Sequence, residues 1–269
     1  MFTLPKSYLV AMCIVATPLQ AHEFWIEPLD YTVDAGATVQ ATFRNGQEFA
    51  GSALSFIPNR SARFDMVVSG NRAEVPSRIG NNPAFDVEDL PEGLLTIIHE
   101  TTDNTVTYSE WVKWVNFTNH KDFTFAQQGH LDRGLSEENF KESYRRFAKA
   151  LVAVGDGAGS DADRGLRVEF VAQANPYTDD MSGGLPVLLM FDGAPKVDAQ
   201  IEMFDKAPDG SVEITLHRTD AEGRATLPVD AGHEYLLDSV TILPMEPAVE
   251  GDPVWETLWA ALTFAVPEE

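Results

Sequence analysis

Six histidines set the chemistry open to this chain, and one of them stands at a position with special consequences. His22 follows a hydrophobic leader directly, in Gln20-Ala21-His22-Glu23-Phe24-Trp25. Residues 1–21 read as a secretory signal peptide. Lys6 supplies the positive start, Tyr8 to Pro18 is an apolar run too short to span a bilayer, and Leu19-Gln20-Ala21 is a small-residue cleavage site. Cleavage after Ala21 makes His22 the first residue, and its α-amine and imidazole then close a chelate ring on a metal ion. The amine has an ordinary pKa of about 7.7–8.0, so freeing it at neutral pH costs only about 1 kcal/mol, which coordination offsets.

His120 and His130 flank the polar-aromatic segment Lys121 to Gly129 and are the candidates to complete a nitrogen-rich site with His22. His99 shares a strand face with Leu95 and Ile97, which predicts a hydrogen-bonded core histidine. It becomes a ligand only if that face opens toward His22. His217 falls on the polar face beside Glu213 and Thr215, and His233 sits in a turn after Gly232. No His-x-x-x-His pair on a helix and no Cys/His cluster is present, which excludes zinc-protease and zinc-finger readings. There is no Gly-x-Ser-x-Gly elbow, phosphate-cradling loop or dinucleotide fingerprint. Trp111, Trp114, Trp255 and Trp259 are spaced for packing better than for a sugar platform. Lys149 and Arg145 suit ion pairing better than anion binding.

Lys6 leaves with the leader, so 18 of the 19 basic residues face all 42 acidic ones, a net charge of −24. That argues against nucleic acid and anionic membrane surfaces as partners. The single cysteine, Cys13, lies inside the leader. Disulfides and thiolate metal sites are thereby excluded, leaving imidazole, carboxylate, amine and thioether ligands. No later segment is long and apolar enough to insert in a membrane, so the expectation is a periplasmic or secreted protein.

The elements that must position these residues are mostly strands. His22, Phe24 and Ile26 alternate with Glu23, Trp25 and Glu27. Val39 to Phe43, Phe64 to Val68 and Leu94 to Ile98 follow, separated by Pro- and Asn-rich loops. Residues 109–135 read as irregular to helical. Leu135 to Gly155 is predicted as the clearest helix. Ser136 is its N-cap, Phe140, Tyr144, Phe147 and Leu151 form an apolar stripe, and acidic and basic residues are placed to suit the dipole. Gly155 to Asp163 has linker composition and is taken as a domain boundary. Beyond it the strands 187–191, 197–204, 212–216, 224–229, 235–243 and 255–266 are punctuated by Asp192-Gly193 and Asp209-Gly210 turns. The expected fold is mainly β: two immunoglobulin- or transthyretin-like β-sandwich domains, 22–155 and 165–269, with a helical insertion before the linker.

Several stretches together resemble the DUF4198 family, exported bacterial proteins often described as periplasmic components of nickel or cobalt uptake. They are Ala21-His22-Glu23-Phe24-Trp25, Asn45-Gly46-Gln47-Glu48-Phe49, His120-Lys121-Asp122-Phe123 and His130-Leu131-Asp132-Arg133-Gly134-Leu135. Tyr144-Arg145-Arg146-Phe147-Ala148-Lys149-Ala150-Leu151 and Trp255-Glu256-Thr257-Leu258-Trp259-Ala260-Ala261-Leu262-Thr263-Phe264 complete the set. The resemblance implies a non-enzymatic divalent-metal-binding protein, with a membrane metal transporter as partner. The ligands at hand intrinsically favour copper over nickel and cobalt. The terminal histidine also resembles the histidine brace of copper carriers and polysaccharide monooxygenases. This leaves a copper-dependent oxidase on a polymer, and a non-catalytic carbohydrate-binding or adhesion module, as alternatives.

Overall fold

The computed structural model describes residues 22–268; the leader, its cleavage site and Cys13 lie outside them. The spine of the fold is a 15-residue strand, Phe140–Val154. The helix expected over Leu135 to Gly155 is corrected accordingly. Successive strand side chains point to opposite faces, so the supposed stripe divides. Ala148, Ala150, Val152 and Val154 enter one core, whereas Phe147 and Leu151 enter another. A strand covered on both faces carries a near-continuous apolar run, which periodicity alone cannot separate from a buried helix. Burial of Phe147 and Leu151 contributes roughly 1.5–3 kcal/mol each. Ser136 caps a bend instead of a helix, its Oγ accepting from the Glu138 N–H at 3.1 Å.

Trp255–Ala265 pairs parallel to this spine, while Gly93–Thr101 and Asn104–Tyr108 pair antiparallel to it. Further out lie Glu234–Pro244, Gln200–Lys206 and Val212–Arg218 on one side, Ser61–Val68 and Asn71–Glu74 on the other, in a ten-stranded sheet. Two four-stranded sheets flank it. One contains Glu23–Pro28, Val39–Gln47, Ala50–Leu54 and Phe85–Val87; the other contains Val168–Ala172, Leu185–Phe191, Ala194–Pro195 and Arg224–Leu227. The first packs Trp25, Phe43 and Phe85 against Ile97 and Val152, and the second packs Phe170, Val187 and Leu189 against Ile98 and Leu262. The chain is thus mainly β and sandwich-like, with two sandwich cores sharing one sheet. That sheet takes strands from both sides of Gly155–Asp163, an ordered loop whose buried Asp161 holds the Lys149 ammonium at 2.8 Å.

The helical character expected over 109–135 is present as two helices, Trp111–His120 and Thr124–Asp132. Trp114, Phe117 and Ala126 bury against Tyr108, Phe140, Trp255 and Trp259, so the tryptophans do pack. No helix of the described residues is long and apolar enough to cross a membrane.

Asn45-Gly46-Gln47-Glu48-Phe49 forms a tight hairpin. Glu48 and Phe49 occupy its two turn positions at φ +53° and +56°, the left-handed pair that suits strand twist. Phe49 offsets the strain by packing edge-on to Trp25, 5.7 Å between centroids. Gly46 is required, since a Cβ there would stand 2.0 Å from the Ala50 carbonyl oxygen.

Candidate functional site

Each histidine has a defined place. His130 is fully buried; its Nε2 donates to the Ser136 carbonyl at 2.9 Å, and its Nδ1 accepts from Trp255 Nε1 at 3.0 Å. Both ring nitrogens are consumed, and burial pushes its pKa down, fixing the neutral form. His120, at the end of its helix, meets the Glu202 carboxylate through Nε2 at 3.1 Å. His99 is buried against Phe24, Phe43 and Phe64 with Nε2 2.8 Å from Ser61 Oγ, as a core histidine, and burial depresses its pKa to about 3. His217 meets Thr215, and His233 meets Asp205 at 2.6 Å. His22 is exposed, and its backbone carbonyl accepts from Arg146. Its imidazole is the one histidine ring with no hydrogen bond among the described residues. The structure therefore does not assemble His22, His120 and His130 as three free nitrogen donors around one point.

On one side of the first strand lies a buried ionic cluster that sequence reasoning missed. Lys121 Nζ stands 2.6 Å from Glu202, 2.9 Å from Asp238 and 3.5 Å from Glu23, and 5.1 Å from the Trp259 ring centroid. The three carboxylates bring oxygens within 4.8 Å of one another, a metal-like arrangement, but the ammonium already sits among them. Burial disfavours the lysine charge, yet the three carboxylates outweigh it and hold its pKa above the ordinary value. Burial raises Glu23 to about 7. Burial also acts to raise Glu202, but the His120 hydrogen bond and the Lys121 charge overcome it and lower Glu202 to about 2. His120 thus serves this cluster. Asp205, Asp230 and His233 form a second, half-exposed group of donors. The signal for the first cluster was the acidic residues inside otherwise apolar strands, Glu202 and Asp238 among them.

The other side is organised by Arg146. Its Nη1 donates to Asn45 Oδ1 at 3.0 Å and its Nη2 to the His22 carbonyl at 2.8 Å, both neutral acceptors. Its guanidinium carbon lies 5.1, 5.8 and 5.9 Å from the ring centroids of Tyr144, Trp259 and Phe24. Nε is buried with no partner, and no carboxylate of the described residues pairs with this side chain. Two adjoining cavities of about 220 and 240 Å³ share Asn45, Tyr144 and Arg146 as their common wall. His22 stands at the second, where Glu142 is the one acid of the lining. Glu142 accepts from Tyr108 Oη at 2.8 Å and from Thr257 Oγ1, and burial raises it to about 7.

The folded chain therefore defines a β-sandwich protein with a polar-aromatic cleft at the entry of its first strand. It belongs to the DUF4198 family, a domain of unknown function whose model matches residues 19–242. Residues from several stretches that carried the resemblance line this cleft: His22 and Phe24, Asn45, Tyr144 and Arg146, and Trp259. No curated protein is significantly similar to the chain. Among solved structures it is similar to the tetra-tandem repeat in the extending region of a large adhesion protein, at 12% identity and a TM-score of 0.23. That match covers 91% of this chain, which spans about half (49%) of the other. The D0-D1 domain of intimin matches at 12% identity and a TM-score of 0.21, covering 89% of this chain and 97% of its own.

Proposed function

We propose that this is an exported, periplasmic protein that binds a divalent transition ion through His22, once Ala21 has been removed, and serves metal uptake or homeostasis without catalysing a reaction. One observation carries the reading. Five of the six histidine rings are committed to hydrogen bonds inside the fold, whereas the His22 ring is exposed and uncommitted. A terminal amine and an imidazole on one residue give a chelate that needs no second protein jaw, and water can fill the remaining positions. His120 and His130 drop out of the ligand set on this reading, because Glu202, Ser136 and Trp255 occupy them. Copper is favoured intrinsically, and nickel or cobalt when availability decides. A membrane transporter is the partner that such a cargo carrier requires.

Intact mass of the exported protein comes first, with cleavage between Ala21 and His22 expected. Calorimetric titration with Cu(II) and Ni(II) then compares that protein with a form carrying one extra residue ahead of His22. The extension should weaken binding at least about tenfold, because it replaces the terminal amine by an amide. Equal heats from the two forms would overturn the reading.

A further inference from the structure

We propose that the cleft astride Arg146 binds a small organic carboxylate, with its anionic end on the guanidinium and an aromatic or sugar-ring body along Phe24, Phe43 and Tyr144. The proposal does not rest on the metal reading, although the two sites adjoin at His22. Its first support is local charge. The chain carries 42 acidic against 19 basic residues, yet among the described residues the cavity bounded by Arg60, His99 and Arg146 has no carboxylate in its lining. The adjoining cavity adds Lys113 and one carboxyl, Glu142, to the same wall. Three cationic side chains thus face one acid in a molecule where acids outnumber bases more than twofold.

The second support is the state of Arg146 itself. Its sequence neighbour Arg145 points to the opposite face of the strand and pairs with Glu100 at 3.1 Å and Asp103 at 2.7 Å. Among the described residues Arg146 has only an amide oxygen and a carbonyl oxygen as acceptors, with three aromatic rings around it. Burial lowers its pKa, outweighing Asp238, Glu23 and Glu142, which act on this guanidinium only from beyond ion-pairing distance. A guanidinium withdrawn from water with no carboxylate in contact is costly, and a planar carboxylate is its best-matched partner. Phe24, Phe43 and Tyr144 supply a hydrophobic wall, while Ser61, Thr101 and Asn104 offer hydroxyl and amide groups to orient the remainder. Lys113, paired with the exposed Glu110 at 2.7 Å, belongs to the rim and adds attraction rather than grip.

The test uses the intact chain stripped of metal over a chelating resin, because a soluble chelator would itself be a carboxylate. Calorimetric titrations compare benzoate with benzamide, galacturonate with galactose, and both acids with inorganic phosphate. One of the acids should bind at least roughly tenfold more tightly than its neutral counterpart and than phosphate, and lose affinity as salt rises. Whichever acid wins identifies the body as aromatic or sugar-like. Arg146→Met should weaken that acid at least about tenfold, while Arg145→Gln leaves it unchanged. Should the Arg146 variant fail to fold, the charged-versus-neutral comparison on the unaltered chain still decides. Equal affinity for acid and neutral analogue, phosphate as tight as the better acid, or no binding by either acid would each overturn the proposal.

Discussion

Two cations sit at the entry of the first strand, and their surroundings are opposites. Lys121, beside Glu23, is enclosed by three carboxylates and a tryptophan. Arg146, which holds the carbonyl of His22, has no carboxylate partner and opens onto two cavities. The first is a saturated structural network, in which the positive charge ties the helix end to strands Glu23–Pro28, Gln200–Lys206 and Glu234–Pro244. The second keeps unsatisfied charge where a ligand can reach it. The histidines repeat the contrast, since His130 has spent both ring nitrogens and His22, among the described residues, has spent neither. On the two proposals above, unspent binding capacity at an accessible place, rather than burial, marks the binding residues.

Removing the saturated cation gives the largest effect. Lys121→Met leaves Glu23, Glu202 and Asp238 buried without their counter-charge, and chemical denaturation should show a loss of about 3–5 kcal/mol. A loss no larger than that of the corresponding Arg146 variant would erase the contrast. His130→Ala comes next. It strands the buried Trp255 N–H and opens a cavity beside Phe140, for an expected loss of about 2–4 kcal/mol, while Cu(II) affinity measured at the same terminus stays unchanged.

Glu142, the single acid on the Arg146 side, sharpens the comparison through pH. Burial raises it from 4.5 to about 7, against the hydrogen bonds from Thr257 and Tyr108. Between those values the folded chain holds a proton that the unfolded chain has released, so stability declines as pH rises through the window. Glu142→Gln should flatten that decline by about 1–3 kcal/mol in denaturation curves taken at pH 5 and pH 7.5. Part of the slope remains, because burial also raises Glu169 to about 7. The smallest effect belongs to Arg146→Met, which should change stability by less than about 1 kcal/mol in ligand-free protein, since it removes a desolvated charge along with two hydrogen bonds to neutral acceptors.

Much of the fold was legible. A strand with one covered face and a clear turn, such as Leu185–Phe191 ahead of Asp192-Gly193, follows from alternation and from the Asp-Gly dipeptide; Glu23–Pro28 was legible from alternation although both its faces are buried. Phe140–Val154 was not, because apolar residues on both faces imitate a helical stripe and because Ser136, Glu137 and Arg145 happen to match helix-end preferences. Val212–Arg218 shows the converse limit: alternation is plain, but Ile214 and Leu216 are exposed, since an edge strand can turn its apolar side outward. Of the histidines, His99 was legible as a core residue from its strand face. The partners of His120 and His130 were not, because Glu202 and Trp255 lie 82 and 125 residues away in the chain. Arg146 carried no local signal either, and only the folded arrangement distinguishes it from Arg145.

Paramagnetic broadening of the histidine ring resonances during a Cu(II) titration, on the protein beginning at His22, tests the central claim most directly. The His22 ring signals should vanish at substoichiometric copper, while those of His120 and His130 persist to one equivalent. Early loss of the His120 or His130 signals, with His22 still visible, would contradict it.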